Sequence, residues 1–137
     1  MENKELMLSA LEGTLWVALA TSVDGHPNVR LLNVHWDPSR PGVFLFSSRK
    51  NRKEKSETEY GNKVAFAAIP SGPGPFVKGV GKVRKSNVRF EDIRDDLSFR
   101  APHFMSDEPS GFEMYEIVLE QTTLILGPDR FAEVNLA

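Results

Sequence analysis

The chain has 137 residues, 40% hydrophobic and 26% charged, with a net charge of -2 and a pI near 5.9. That length and mix fit one soluble globular domain over residues 1–137, able to bury about two-thirds of its unfolded surface. An acidic chain carries no global field for nucleic acid or an anionic membrane. With no cysteine, disulfides, thiolate nucleophiles and cysteine-bound metal centres are excluded.

In chain order, the charged start Met-Glu-Asn-Lys-Glu lacks the apolar core of a signal peptide, so a cytoplasmic location is expected. Leu6, Met7, Ala10 and Leu11 predict a helix over residues 2–12, stopped by Gly13. A barrel of strands is expected over residues 14–126, followed by a short tail. Residues 15–21 are apolar on both faces and read as a buried strand, with Ala18 and Ala20 small enough to admit a neighbour. Asp24-Gly25 is a hairpin turn signal. The second strand spans 28–37, with Arg30 in phase with Leu32, Val34 and Trp36 and therefore directed from an apolar face. A breaker-rich turn at 37–42 leads to the third strand, 43–48, and the two strands are expected to pair as a hairpin that brings Arg30 and Ser47 together.

Two hydroxyls, Ser47 and Ser48, end that strand, and five cations fall within residues 49–55. Asn51 and Glu54 resemble a helix capping box, which sets Arg52 and Lys53 in a first helical turn. Cations there oppose the helix dipole by roughly 0.3–1 kcal/mol each. Hydroxyls, helix amides and cations together suit a phosphate. A solvated basic helix start is the competing reading.

A helix over 51–61 is expected to lead into a fourth strand at 63–69. A loop at 70–75 follows, then a fifth strand at 76–85 with Gly79 and Gly81 on one face, a spacing suited to a sharply bent barrel strand or to close backbone approach. Asn87 is expected to cap a helix through residue 99, with Val88 toward the core. One long strand, or two, covers 112–126, and Gly127-Pro128 ends it. Six strands with turn-rich connections and peripheral helices predict a mainly β, six-stranded barrel.

The three histidines lack metal-ligand spacing, and no serine sits in a nucleophile-elbow context, so neither a metal site nor a catalytic side chain is predicted. Arg30, Ser47, Ser48, Arg52 and Lys53 remain as an anion constellation. A phosphate held with no other catalytic group implies a cofactor that carries the chemistry.

The order Ala-Leu-Ala-Thr21, Asp24-Gly25-x-Pro27, Arg30, Gly42-Val-Phe-Leu-Phe46-Ser47 and Arg52-Lys53, followed by Val77-Lys-Gly79-Val-Gly81-Lys-Val83, resembles the pyridoxamine 5'-phosphate oxidase-like, FMN-binding split-barrel family. The resemblance covers residues 14–85. It implies a homodimer with FMN at the interface, Arg30 and Lys53 on the phosphate, Ser47, Ser48 and Arg52 beside them, and Leu31, Leu32 and Phe46 along the ring. Trp36 and the 99–115 segment are implied to lie near the partner's cofactor. His35 stands near where the oxidases carry a lysine, and their C-terminal substrate segment has no counterpart in residues 127–137. The resemblance therefore points to short, general-stress-type members: FMN-dependent oxidoreductases with an unknown small substrate or electron donor, not vitamin B6 phosphate oxidases. A non-catalytic module holding flavin, deazaflavin or haem is the alternative. Single-stranded nucleic-acid binding through 49–55 would need interleaved aromatics, and only Tyr60 is near.

Overall fold

The structure is a computed structural model, and it describes residues 2–12, 14, 16–49, 63–70, 72–89, 92 and 112–136. The elements are helix α1 (Asn3–Glu12) and strands β1 (Trp16–Val23), β2 (His26–Asn33), β3 (His35–Trp36), β4 (Val43–Arg49), β5 (Lys63–Ile69), β6 (Phe76–Lys85), β7 (Phe112–Gly127) and β8 (Arg130–Glu133). Their order in the sheet is β2-β1-β5-β6-β7-β4-β3, with β8 paired to β7. All pairings are antiparallel.

The two ends of that path belong to one stretch of chain. β2 ends at Asn33 and β3 begins at His35. The opposite edges of the sheet are thus joined through Val34 alone, within about 7 Å of each other by chain geometry. Only a sheet curled on itself meets that condition, so the fold is a barrel. It stays split because just two pairs, His35 with Leu45 and Trp36 with Phe44, bind β3 to β4. The expected second strand is therefore two, and the expected hairpin between it and β4 is two pairs long. Counting β2 and β3 as one broken strand gives six barrel strands, with β8 added outside.

Alternation fills the inside. Val17, Leu19, Leu32, Val34, Trp36, Phe44, Phe46, Val64, Phe66, Val77, Val83, Ile117 and Leu124 form one buried cluster that also takes Met7 and Leu11 from α1. Phe44 meets Phe66 edge to face at 5.6 Å, and Phe46 stacks on Tyr115 at 5.6 Å. The β1–β2 turn is a two-residue loop with positive φ at Asp24 (51°) and Gly25 (79°), the type I′ geometry that matches strand twist. Gly79 and Gly81 face inward where β6 and β7 close up around a register shift. A Cβ on either would run into a β7 carbonyl, that of Gln121 or Val118.

Two further expectations differ from the fold. Gly127-Pro128 does not end the sheet: Pro128 and Asp129 form a turn and the chain returns as β8, where the Thr122 hydroxyl donates to the Val134 carbonyl. Residues 87–89 are not helical. The Val88 N–H is taken by the Ser86 hydroxyl at 3.1 Å, a turn that competes with helix initiation. The expected helix at 51–61 lies outside the described residues, as does most of the one through residue 99, of which Asp92 is described and helical, its N–H donating to the Arg89 carbonyl at 3.0 Å. No helix among the described residues is long and apolar enough to cross a membrane.

Candidate functional site

β2 presents two unlike faces. Arg30 and Leu32 turn inward and are buried, while Val29 and Leu31 point outward at 65% and 62% exposure. Alternation along a strand produces this split. Val29 is the ladder partner of Ala20 and Leu31 that of Ala18. Beyond them Ala20 pairs with Ala65 and Ala18 with Ala67 on β5. Trp16 and Ile69 close the next row, with Ile69 exposed. The outer face of β2, β1 and β5 is thus a floor of alanines bordered by large apolar side chains. Exposed apolar surface of this continuity marks an interaction site.

Arg30 sits one residue from that surface, on the inner side opposite Leu19, at 7% exposure. The next pair toward the turn is Asn28 and Thr21, so the inner rim is polar there. Ser47, half-buried, falls on the outer side of β4, because Phe44 and Phe46 are the inward residues. No ladder joins β2 to β4, so the pairing expected to bring Arg30 and Ser47 together is absent.

The remaining expected residues divide simply. Leu31 is available to a ligand on the outer face. Leu32 and Phe46 lie in the core at 5% and 0% exposure, and offer a ligand their backbone alone. Ser48 lies on β4 opposite Glu113, and its side chain lies outside the described residues. Arg52 and Lys53 lie outside the described residues altogether. Trp36 is buried in its own barrel, with its indole N–H donated to the Pro41 carbonyl at 3.0 Å.

A second polar cluster had no sequence signal. Glu116 on the outer side of β7 is 5% exposed. Its carboxylate accepts from Arg40 Nη1 at 2.9 Å, Arg84 Nε at 2.8 Å and the Ser86 hydroxyl at 3.2 Å. Burial alone raises its pKa, but the hydrogen bonds and charges of Arg40 and Arg84 outweigh that and hold it below the ordinary glutamate value. Out of phase with Tyr115, Ile117 and Leu119, a glutamate looks solvated in sequence. Its partners are distant in the chain, and no local pattern reveals them.

Comparison with solved structures shows the fold. A proposed pyridoxamine 5'-phosphate oxidase from Listeria innocua superposes with a TM-score of 0.70 at 19% identity, over 90% of this chain and 98% of that one. The FAD binding protein from Mycobacterium smegmatis gives 0.64 at 18% identity, over 98% of both chains. The General Stress Protein 26 from Bacillus anthracis gives 0.71 at 12% identity, over 98% of this chain and 100% of that one. Among curated protein sequences none matches. The family profile described as "Pyridoxamine 5'-phosphate oxidase-like" matches residues 10–124. Most of the barrel falls within that match, and the chain belongs to the pyridoxamine 5'-phosphate oxidase-like family.

Proposed function

We propose that the protein is a homodimeric flavoprotein that binds FMN on the outer face of β2, β1 and β5 and passes hydride or electrons to or from a small substrate. The observation that carries this reading is the alanine floor beneath exposed Leu31 and Val29, beside buried Arg30. A flavin ring is flat and apolar on both faces, and a surface without side chains beyond Cβ accepts such a plane closely. FMN carries a phosphate, for which Arg30, buried on the inner side of β2 one residue from that face, and the Ser47-to-Lys53 stretch are donors of the right chemistry. Family membership supports the flavin, as does the named ligand of the Mycobacterium smegmatis neighbour.

When bound, the flavin would supply the redox chemistry. The chain's own part is to hold the phosphate, seat the ring against Leu31 and exclude water from it. A second copy covering the alanine face would complete that enclosure, and would remove Val29 and Leu31 from solvent. Direct titration tests the reading: FMN fluorescence is quenched on binding at micromolar protein, and Arg30→Gln weakens FMN far more than riboflavin, which has no phosphate. Absence of quenching by FMN or FAD overturns it. Equal losses for FMN and riboflavin would remove Arg30 from the phosphate.

A further inference from the structure

On the opposite side of the barrel one row runs straight across four strands: His35, Leu45, Glu116 and Arg84 are successive ladder partners on β3, β4, β7 and β6. Arg40, from the β3–β4 connection, folds onto the same row and meets Glu116. Two cavities open there. One of about 350 Å3 is lined by Arg40, Arg84, Lys85, Asn87, Val88 and Glu116. The other, of about 160 Å3, shares Arg40 and Val88 and adds His35, Asp37, Val43 and Leu45. We infer that this groove is a binding site for a small organic anion: one carboxylate or phosphate head at Arg40, Arg84 and Lys85, with a compact apolar body along Val88, Leu45 and Val43.

The donor arithmetic supports an oxyanion. Arg40 binds Glu116 through Nη1, which leaves Nε and Nη2. Arg84 binds it through Nε, which leaves Nη1 and Nη2. Each guanidinium thus keeps a complete two-donor edge, the geometry that takes a carboxylate or phosphate side by side. Glu116 fixes both groups without neutralising the site, because among the described residues Lys85 gives the larger cavity three cations against one carboxylate. Fixed cations lose little freedom on binding, which favours affinity.

The dimensions set the class. The larger cavity is at the lower end of small-molecule sites, roughly 300–1,000 Å3, too small for a dinucleotide. Asp37 stands in the smaller one, held in its charged form by the backbone N–H and the side chain of Ser39. It would repel a second acidic group at the far end, so the ligand has a single anionic head. The outer face of β2, β1 and β5 takes no part, and the inference is independent of the flavin reading.

Calorimetric titration of the full chain with benzoate, phenyl phosphate and inorganic phosphate, with benzyl alcohol as the neutral counterpart, tests it without any flavin. The expected result is one saturable site for the aromatic anions, at least about tenfold tighter than for benzyl alcohol. The tighter of benzoate and phenyl phosphate identifies the head group. Arg84→Gln is expected to weaken binding by about tenfold or more. That variant also disturbs Glu116, so Lys85→Gln, which touches none of the Glu116 bonds, is the cleaner probe and is expected to weaken the anions without lowering stability. No saturable anion binding, equal binding of benzyl alcohol, or unchanged affinity in folded Lys85→Gln would each overturn the site. Inorganic phosphate binding with both aromatic anions rejected would overturn the apolar wall and with it the ligand class.

Discussion

Glu116 and Arg84 face each other directly across the β6–β7 ladder, and their side chains close a 2.8 Å bond on the outside of the barrel. The carboxylate is 6% exposed while the arginine side chain is 47% exposed. The pair is therefore anchored on one side and hydrated on the other. Its loss would strand a buried acceptor set more than it would strand a cation.

Glu116→Gln keeps the shape and removes the charge that two arginines and a serine share. Charged hydrogen bonds contribute about 1.5–3 kcal/mol each when desolvated, less when a partner is wet. A net loss of about 1–2 kcal/mol is expected, read as a lower urea midpoint with an unchanged slope. An unchanged midpoint would mean that solvent already satisfies both arginines.

The same residue sets an acid limit. Its folded pKa is lowered, so the unfolded chain binds a proton first as the pH falls. The stabilisation is complete above the ordinary glutamate range and is lost as the pH drops through the folded value below it. Thermal melts from neutral to acidic pH are expected to show wild type losing its advantage over Glu116→Gln across that interval. A constant difference between the two proteins at all pH values would assign the effect to shape alone.

At the β1–β2 turn the constraint is purely local. Gly25 has φ of 79° and no atom within 4 Å of where a Cβ would stand. Gly25→Ala is thus expected to cost about 1 kcal/mol through backbone strain, with no packing change. Asp24→Asn, which suits the same turn at least as well, is expected to be neutral or slightly stabilising. Chemical denaturation of the two variants side by side checks both.

Gly79 is the contrasting case, because its limit is space. A side chain there meets the Gln121 carbonyl and the Phe66 ring, and backbone cannot move without opening the β6–β7 register shift. Gly79→Ala is expected to destabilise by roughly 3 kcal/mol or more, well beyond Gly25→Ala. Similar losses at the two glycines would show that β7 can back away.

Those two glycines also mark how far sequence reasoning reached. The Asp-Gly turn and the inward glycines of β6 are short-range signals, and both features stand where they were expected. So do the residue limits of β5 and β6, because burial alternates along β5 and on either side of the register shift in β6. The break at Val34 left no trace: Arg30, Leu32, Val34 and Trp36 are all buried, so the in-out rhythm runs on while the hydrogen-bonding partner changes from β1 to β4. β8 was hidden for a related reason, since Gly127-Pro128 signals a turn whether or not a strand follows. Arg40, Arg84 and Glu116 were illegible because each, taken alone, is a charge where solvent is expected. Only the barrel's curvature and the cross-strand register bring them together.

The last prediction concerns the proposed subunit face. Val29 and Leu31 are exposed at 65% and 62%, and Leu31→Glu would place a charge at the border of the alanine floor. Within one chain that change meets only water, so the folded monomer is expected to survive with its circular dichroism intact. Between two copies it would bury two unpaired carboxylates, each costly enough to prevent association. Sedimentation is then expected to show wild type as a dimer and Leu31→Glu as a monomer, with FMN affinity falling together with the dimer. A Leu31→Glu protein that still sediments as a dimer would move the subunit contact to another face. A monomer that retains full FMN affinity would show that one copy holds the flavin unaided.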